Sequence, residues 1–398
     1  MSVPALSAVV LAAGEGTRMR SERPKPLHRL CGRPMILHVL DALAEVAVGK
    51  VVVVVGHRGE WVTKTLADHA PRSLSIELVE QAEHRGTGDA LAVGLTALPD
   101  AELDGAGDVV VLPGDTPLVR PATLAALVRH HRATDAAATL LTAVLADPAG
   151  YDRVVRGKDG GVERVVYDTE VGTDEYAIDE VATTIHCFHH AVLAPALRRL
   201  QPVGPRREHS LTGIYAVLHD AGYRVESLQV ADPMEAAGVN DRAQLAVAEA
   251  ELRDRINERW MRRGVTMWDP ERTYVDASVR LAEDVVLGPG VVLQGDCVVG
   301  SGAEIGPGVV LQGDCVVGAG VEIGPGCHLV DTEVGDGAVV QRTTAAGARV
   351  GAGAIVGPFV VLGPGAEVAP GDMVPAFARL PAEGPGSAGS GSGPGPTR

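Results

Sequence analysis

The sequence contains no run of about 18 uncharged apolar residues, so it offers no segment able to span a bilayer as a helix. Positive charge is also scarce, because 35 Lys and Arg stand against 51 Asp and Glu, a formal net charge of −16. A surface that follows a nucleic-acid backbone or anionic lipids needs the opposite sign. We therefore expect no nucleic-acid or membrane partner, although a local basic site for a small anion is compatible with this balance.

Cysteine is equally sparse. The five cysteines are an odd number without C-x-x-C spacing, which argues against a disulfide scaffold and against a zinc site. Residues 1–16 lack the basic segment, long apolar segment and small-residue cleavage site of an export signal. These features predict a cytoplasmic protein.

Glycine and proline, in contrast, are abundant: 49 and 26 residues, or about 19% of the chain together. Residues 1–240 read as buried strands alternating with amphipathic helices, which predicts a Rossmann-like α/β domain. Residues 241–264 read as a linker helix that ends at Gly264. The predicted strands are 7–12, 51–55, 75–79, 108–112 and 137–144, and the predicted helices are 34–46, 88–98 and 121–133.

The glycine-rich remainder has a period of six. Aliphatic residues recur at every sixth position from Leu281 to Leu329, and residues 291–308 are repeated as 309–326 with 16 of 18 positions identical. Three hexapeptides make one triangular coil, so residues 273–380 are predicted to form a left-handed parallel β-helix. The register slips near Val334 and resumes at Val350, giving about five coils, and the Gly/Ser/Pro-rich residues 383–398 are expected to be disordered.

One loop combines glycines with cations. Residues 11–28 (LAAGEGTRMRSERPKPLH) follow the first strand, and their glycines let backbone N–H groups approach an oxyanion. The helix-opening third glycine of a dinucleotide fold and the Gly-Lys-Ser/Thr of a P-loop are both missing, which disfavours those two classes.

The stretch resembles the signature of sugar-1-phosphate nucleotidyltransferases, most closely the uridylyltransferase half of bacterial N-acetylglucosamine-1-phosphate uridyltransferases. Four further motifs follow in the same order: QAEHRGTG at 81–88, LPGDTPL at 112–118, GYDR at 150–153 and EAAGVNDR at 235–242. The hexapeptide domain is also an architecture of that family.

The resemblance implies roles for individual residues. Arg18 would contact the β- and γ-phosphates, Lys25 would contact the transferred α-phosphate, and Asp115 and Asn240 would coordinate Mg²⁺. The nucleotide would be held by Leu11, Ala12, Ala13, Gly14, Gly16, Thr17, Gln81, Gly86, Thr87, Gly88 and Gly114. The chemistry agrees, because a sugar 1-phosphate is already a nucleophilic oxyanion and needs positioning and charge neutralisation rather than a general base.

The acceptor pocket departs from the family pattern. Asp152 replaces the second glycine of Gly-Tyr-Gly-Arg, Tyr167 replaces an acidic residue, and Glu180–Thr184 (EVATT) has Ala182 where the family has Asn. Thr212 lies in a segment, REHSLTG, that differs from the family's GEYYLTD. We take Asp152, Tyr167, Glu180, Ala182 and Thr212 as substrate-binding candidates. Lost hydrogen-bonding groups should weaken binding of N-acetylglucosamine 1-phosphate.

We therefore expect a different acceptor, either another sugar 1-phosphate or a cyclitol 1-phosphate such as valienol 1-phosphate. The alternatives are an N-acetylglucosamine enzyme whose pocket has drifted and a non-catalytic trimeric scaffold. Resemblance favours UTP, while GTP, dTTP, CTP and ATP stay open.

The β-helix lacks the residues for the acetyl transfer that the bifunctional family carries out. From residue 273 onward it has a single histidine, His328, and neither Asn nor Lys. We expect no acetyl transfer there, and the resemblance implies a homotrimer built on the coils. The tract His186–His190 (HCFHH) looks like a metal site, but at strand spacing its side chains alternate between faces, so we read it as structural.

Overall fold

The computed structural model describes residues 5–56, 58–98, 107–158, 160–204 and 207–380. The chain divides between Glu249 and Ala250 into two compact units. The predicted tail, residues 383–398, lies outside the described residues.

The first unit is built on a mixed sheet of nine strands in the order β11-β7-β10-β6-β1-β4-β5, with β8 paired to β10 and β9 paired to β8. Its strands are β1 Leu6–Ala12, β4 Lys50–Val55, β5 Ile76–Glu80, β6 Asp108–Pro113, β7 Ala138–Val144, β8 Arg153–Arg156, β9 Val162–Val166, β10 Glu180–His189 and β11 Val225–Gln229, and a small hairpin pairs β2 Arg29–Leu30 with β3 Arg33–Pro34. Strands β1, β4, β5 and β6 are parallel, as the apolar runs predict, whereas β10 is antiparallel to both β6 and β7.

Helices cover both faces of this sheet. Successive residues of β4 enter different cores, with Val51 and Val53 on one side and Val52 and Val54 on the other. This alternation explains why residues 51–55 of the strand are all valine. The helices are α1 Met35–Ala44, α2 Gly59–His69, α3 Thr87–Leu95, α4 Pro121–Thr134, α5 His190–Leu197 and α6 Ile214–Asp220.

The chain order around β1 creates a place for a ligand. From β1 the chain passes to β4 and β5 on one side and then to β6 on the other. Ligands of open α/β sheets bind at the carboxyl ends of the strands beside such a reversal. The segments that follow β1, β5 and β6 contain Gly14, Gln81 and Asp115, so the predicted motifs meet at this edge.

The second unit contains a left-handed parallel β-helix with three sheets. The first sheet stacks Thr266–Met267, Val286–Leu287, Glu304–Ile305, Glu322–Ile323, Val339–Val340, Ile355–Val356 and Met373–Val374 (β12, β15, β18, β21, β24, β27, β30). The second stacks Tyr274–Val275, Val292–Gln294, Val310–Gln312, His328–Val330, Thr344–Ala346, Val361–Leu362 and Arg379–Leu380 (β13, β16, β19, β22, β25, β28, β31). The third stacks Arg280–Leu281, Val298–Val299, Val316–Val317, Glu333–Val334, Arg349–Val350 and Glu367–Val368 (β14, β17, β20, β23, β26, β29).

The internal repeat corresponds to one coil. Val292 pairs with Val310 and Val298 with Val316, so positions 18 residues apart in sequence are stacked. The aliphatic residues at every sixth position are buried, as expected for residues that point to the coil axis. Cys297 and Cys315, 18 residues apart in sequence, are fully buried on adjacent coils.

The β-helix has more coils than the period of six in the sequence predicts. Two sheets have seven strands and the third has six in the described residues, so nearly seven coils are present rather than about five. The coils begin at Thr266, before the predicted start at residue 273. The slip has a local cause: Leu329 to Val334, Val340 to Ala345 and Ala345 to Val350 are steps of five residues. Short sides interrupt the sequence period without ending the stack.

A last helix, α7 (Arg242–Met261), contains the division between the two units. The linker helix was predicted over 241–264, and Gly264 follows its last turn with a φ of +92°. None of the described helices is long and apolar enough to cross a membrane.

Candidate active site

The loop after β1 is shaped by a glycine that the fold requires. Gly16 has a φ of +64°, and a Cβ built on it would lie 2.6 Å from Cβ of Lys25. Any side chain at position 16 would therefore push Lys25 away. A Cβ at Gly14, in contrast, would meet no atom of the described residues within 4 Å. Protein packing does not demand Gly14, so the open space beside it is available to a ligand.

The other residues predicted for this end of the nucleotide lie along β1 and the loop. Ala12 and Ala13 are buried, Leu11 is half-buried, and Thr17 begins an exposed 3₁₀ turn. The Gly114 N–H donates to the Leu11 carbonyl at 2.9 Å. A pocket of about 200 Å³ lies beside the loop, lined in part by Ala12, Gly14, Glu15, Gly56 and Arg58.

The four residues predicted to act on phosphate and metal come together. Lys25 Nζ forms an ion pair with the Asp115 carboxylate and donates to Asn240 Oδ1 at 2.7 Å. Arg18 Nη2 donates to the same Asn240 oxygen at 2.9 Å. Arg18 and Asn240 are 222 positions apart in sequence, so the contact depends on the fold.

Hydrogen bonds of the backbone hold Asp115 and Asn240, the two predicted metal ligands, in place. The Val239 N–H donates to the Asp115 carbonyl at 2.9 Å, which joins the segment after β6 to the segment before α7. The Asn240 N–H donates to Gln244 Oε1 at 2.8 Å. Because one main-chain bond joins the two segments and the Gln244 side chain holds the backbone of Asn240, Asp115 and Asn240 are presented side by side.

Asp115 and Asn240 fit a hard cation such as Mg²⁺. One carboxylate and one amide oxygen are suitable donors, and Mg²⁺ usually takes one or two carboxylates together with water and substrate phosphates. Both oxygens already interact with Lys25, so they lie on either side of one positive charge. The described residues contain no cluster of three or more His, Cys, Asp or Glu able to hold a metal by themselves.

Three residues of the QAEHRGTGD segment, Gly86, Thr87 and Gly88, contact the protein segment 209–211. The Gly86 φ is +103°, and a Cβ there would lie 2.6 Å from the His209 carbonyl oxygen. The Gly88 N–H donates to that oxygen at 2.8 Å, and Thr87 Oγ1 accepts from the Leu211 N–H at 2.9 Å. These three residues dock the segment 209–211, and their predicted contact with nucleotide stays a prediction.

Gln81 is buried at the carboxyl end of β5. Its backbone N–H donates to the Val55 carbonyl, and its side-chain Nε2 lies 2.7 Å from Asp89 Oδ2 and 3.4 Å from the Gly86 carbonyl. Asp89 was not among the predicted site residues. Its position three residues after Gly86, in the first turn of α3, was the available signal.

Four of the five acceptor-pocket candidates are neighbours. Asp152 Oδ1 accepts from the Asp168 N–H at 3.1 Å, its carboxylate is hydrogen-bonded by Thr212, and its carbonyl accepts from the Ala182 N–H. The Tyr167 hydroxyl lies 3.1 Å from a Cβ built at Gly213, next to Thr212. Burial, with a smaller effect of the Asp168 charge, raises the pKa of Asp152 above its usual value.

Glu180 differs from these four. Arg156 donates to both of its carboxylate oxygens, at 2.7 and 2.8 Å. This two-point contact occupies the carboxylate, so its predicted contact with substrate has no support in the geometry.

Within the histidine tract, His186 lies in the core. His186 Nδ1 lies 2.6 Å from the Tyr215 hydroxyl, and burial lowers the pKa of His186 to about 3. A neutral imidazole inside the sheet contributes to the core rather than to a metal site.

Comparison with known proteins agrees with this geometry. Residues 8–207 match the family model of the MobA-like NTP transferase domain, and residues 278–313 and 296–331 match the bacterial transferase hexapeptide model. The chain is 41% identical to the bifunctional protein GlmU of Thermobifida fusca over 345 residues, which covers 87% of this chain and 67% of the relative.

It is 42% identical to the bifunctional protein GlmU of Shouchella clausii, covering 75% of this chain and 65% of the relative. With the protein of that name from Pelotomaculum thermopropionicum it shares 45% identity over 71% of this chain and 60% of the relative. The chain thus spans about two thirds of the length of the relatives it matches. It belongs to the GlmU-like nucleotidyltransferases, with a MobA-like NTP transferase domain followed by hexapeptide repeats.

Proposed function

We propose that the protein transfers a nucleotidyl group, with Mg²⁺, from a nucleoside triphosphate to the 1-phosphate of a sugar or of a sugar-like cyclitol. The products are a nucleoside-diphosphate sugar or cyclitol and pyrophosphate. The observation that carries the proposal is the contact of Arg18 and Lys25 with Asn240, and of Lys25 with Asp115. Two cations and two oxygen ligands from distant segments are the parts that this reaction needs.

The reaction follows from charge. An oxygen of the acceptor's phosphate attacks the α-phosphorus of the triphosphate, and the bond from that phosphorus to the pyrophosphate oxygen breaks. The attacking oxygen is already ionised, so no base has to remove a proton. Lys25 would neutralise charge on the transferred phosphoryl group, and Arg18 would neutralise charge on the departing pyrophosphate.

Asp115 and Asn240 would hold the Mg²⁺, which would supply further positive charge to the phosphates. Members of this family generally use a divalent metal ion, and the oxygen donors favour Mg²⁺ here. The protein itself holds Lys25 beside the oxygen atoms of Asp115 and Asn240, because Gly16 leaves room for Lys25 in the loop after β1.

The acceptor pocket supports an acceptor other than N-acetylglucosamine 1-phosphate. Ala182 offers no side-chain hydrogen bond, and the carboxylate of Asp152 stands where the family has a glycine. An unpaired polar group costs about 1–3 kcal/mol, which changes a preference by about 5-fold to 150-fold. A ring carrying hydroxyls at other positions, as in a cyclitol such as valienol 1-phosphate, is compatible with this change.

The coils support a scaffold role. His328, the one histidine after residue 273, is exposed on a strand paired with Val310 and Thr344, without a carboxylate or amide side chain at those paired positions. We propose that the β-helix carries out no acetyl transfer and instead assembles a cytoplasmic homotrimer, since regular coils commonly pack side by side.

The test is a matrix of UTP, GTP, dTTP, CTP and ATP against candidate 1-phosphates with Mg²⁺, with products identified by mass. We expect one pair, with an acceptor other than N-acetylglucosamine 1-phosphate, to dominate. Best turnover with UTP and N-acetylglucosamine 1-phosphate would identify the alternative, a pyrophosphorylase with a drifted pocket. Absence of transfer across a panel that includes cyclitol phosphates would favour the scaffold.

A further inference from the structure

The amide of Gln81 has surroundings that fix its orientation. The residue is 5% exposed, and its side-chain Nε2 faces Asp89 Oδ2 at 2.7 Å and the Gly86 carbonyl oxygen at 3.4 Å. A carboxylate and a carbonyl can only accept hydrogen bonds, so the NH₂ end of the amide must face them. The assignment of nitrogen and oxygen therefore follows from the chemistry of the two neighbours and not from their placement alone.

The consequence concerns the other end of the amide. Both donors of Gln81 are directed at protein acceptors, and Oε1 has no hydrogen-bond partner in the part of the chain that the structure describes. Gln81 lies at the ligand-binding edge of the sheet, where its backbone N–H binds the Val55 carbonyl. The side chain can thus present an acceptor to a base, but no donor.

We infer that Asp89 is a positioning residue that makes Gln81 select bases with a ring N–H. This inference rests on the proposed function, in which Gln81 contacts the base, and it narrows the choice of triphosphate. Uracil, thymine and guanine carry a ring N–H that Oε1 can accept. Cytosine and adenine have an unprotonated ring nitrogen at the corresponding position, whose lone pair would face the oxygen.

Two amide-for-carboxylate variants test the role. Asp89→Asn keeps the size of the side chain, but its amide can donate as well as accept, so Gln81 can turn over. Glu83→Gln is the matched control, because Glu83 is exposed and pairs with Arg85 rather than with Gln81. Equilibrium binding of UTP, dTTP, GTP, CTP and ATP with Mg²⁺, without acceptor, gives the ratio between the two groups of bases.

We expect the wild type and Glu83→Gln to prefer the best of UTP, dTTP and GTP over CTP and ATP by about tenfold or more, the usual effect of a mismatched hydrogen bond. Asp89→Asn should reduce that ratio to about threefold or less, mainly through better binding of CTP or ATP. A purely structural role would weaken all five nucleotides together and leave the ratio unchanged.

The inference is overturned if CTP or ATP binds the wild type as well as the other three, or if Asp89→Asn keeps the full ratio. Failure of the proposed function is a separate result. It would appear as a base preference in binding without pyrophosphate release for any acceptor.

Discussion

The two ends of the candidate site are built differently. At the phosphate end, Lys25 contacts Asp115 and Asn240, and Arg18 contacts Asn240, so the candidate site residues bind one another. At the acceptor end, Asp152 binds a backbone N–H and Thr212, while Ala182 contributes only its backbone. The phosphate end is a network of side chains that bind one another, whereas the acceptor end is lined by residues that mostly contact the backbone.

This difference has a chemical reason. Every triphosphate and every 1-phosphate presents the same charges, so a side-chain network that neutralises them serves any acceptor. Ring hydroxyls differ from one acceptor to the next, and single lining groups can be exchanged without disturbing the network. The comparison predicts that substitutions at the phosphate end abolish transfer, whereas substitutions at the acceptor end redirect it.

The largest effect is expected for Lys25→Ala. In the proposed function Lys25 neutralises the transferred group, so its loss should lower kcat by about 10³-fold, the scale of removing one preorganised electrostatic contact. Steady-state pyrophosphate release with the best pair measures it. Lys158→Ala, which removes an exposed lysine of the same domain, should retain full activity. Undiminished transfer by the Lys25 variant would exclude Lys25 from the reaction.

Asp115→Asn should lower activity by about 10²-fold and raise the Mg²⁺ concentration needed for half-maximal rate, because a carboxylate binds the cation more strongly than an amide. A Mg²⁺ titration of the rate separates this from a folding defect. The control is Asp68→Asn, an exposed position on α2. An unchanged Mg²⁺ dependence would exclude Asp115 as a ligand.

At the acceptor end, the double variant Asp152→Gly with Ala182→Asn should move the preference toward N-acetylglucosamine 1-phosphate by about 10–100-fold in the ratio of kcat/KM values. The physical reason is that the N-acetyl amide of the acceptor regains a polar partner in the new Asn side chain. The Asp152 carboxylate also no longer occupies the space that a glycine leaves open. Activity should remain dependent on Lys25. A uniform loss with every acceptor would show that these residues maintain the pocket rather than select its ligand.

Much of this comparison was visible in the sequence. Arg18, Lys25, Asp115 and Asn240 could be named because each lies in a motif that resembles the nucleotidyltransferase signature, and the fold brings them together. The period of six likewise predicted the β-helix, since an inward-facing residue has to be apolar at every side of the coil.

Other features could not be read from the pattern. The five-residue sides of the coil hide the register after Leu329, so the count of coils was too low. The antiparallel β10 is largely buried on both faces, like the parallel strands β1 and β4, and pattern alone does not give strand direction. The Asp89 contact with Gln81 and the Arg156 contact with Glu180 depend on side-chain directions that only the folded chain defines.

The smallest expected effect concerns the stability of the acceptor end. Burial raises the pKa of Asp152, so the folded state prefers its protonated form. The stability this provides is present below the unfolded pKa of about 3.9 and is lost as the pH rises through the higher folded pKa. Asp152→Asn keeps an oxygen for the Asp168 N–H and has no charge to bury. At pH 7 the variant should therefore unfold at a slightly higher temperature than the wild type. The gain in free energy of unfolding should be at most about 1 kcal/mol and should vanish below about pH 4.

Thermal unfolding of both proteins across pH 3–7 measures this difference, and the exposed Asp174→Asn serves as its control. A gain that persists at pH 3 would mean that the charge of Asp152 is not what destabilises the pocket. A gain confined to neutral pH would show that the acceptor end holds a carboxylate at a cost in stability. The phosphate end has no comparable cost, because there Lys25 neutralises Asp115 directly. The Asp152 carboxylate would therefore lower the stability of the fold. We expect a protein to keep such a group only where it contacts the acceptor.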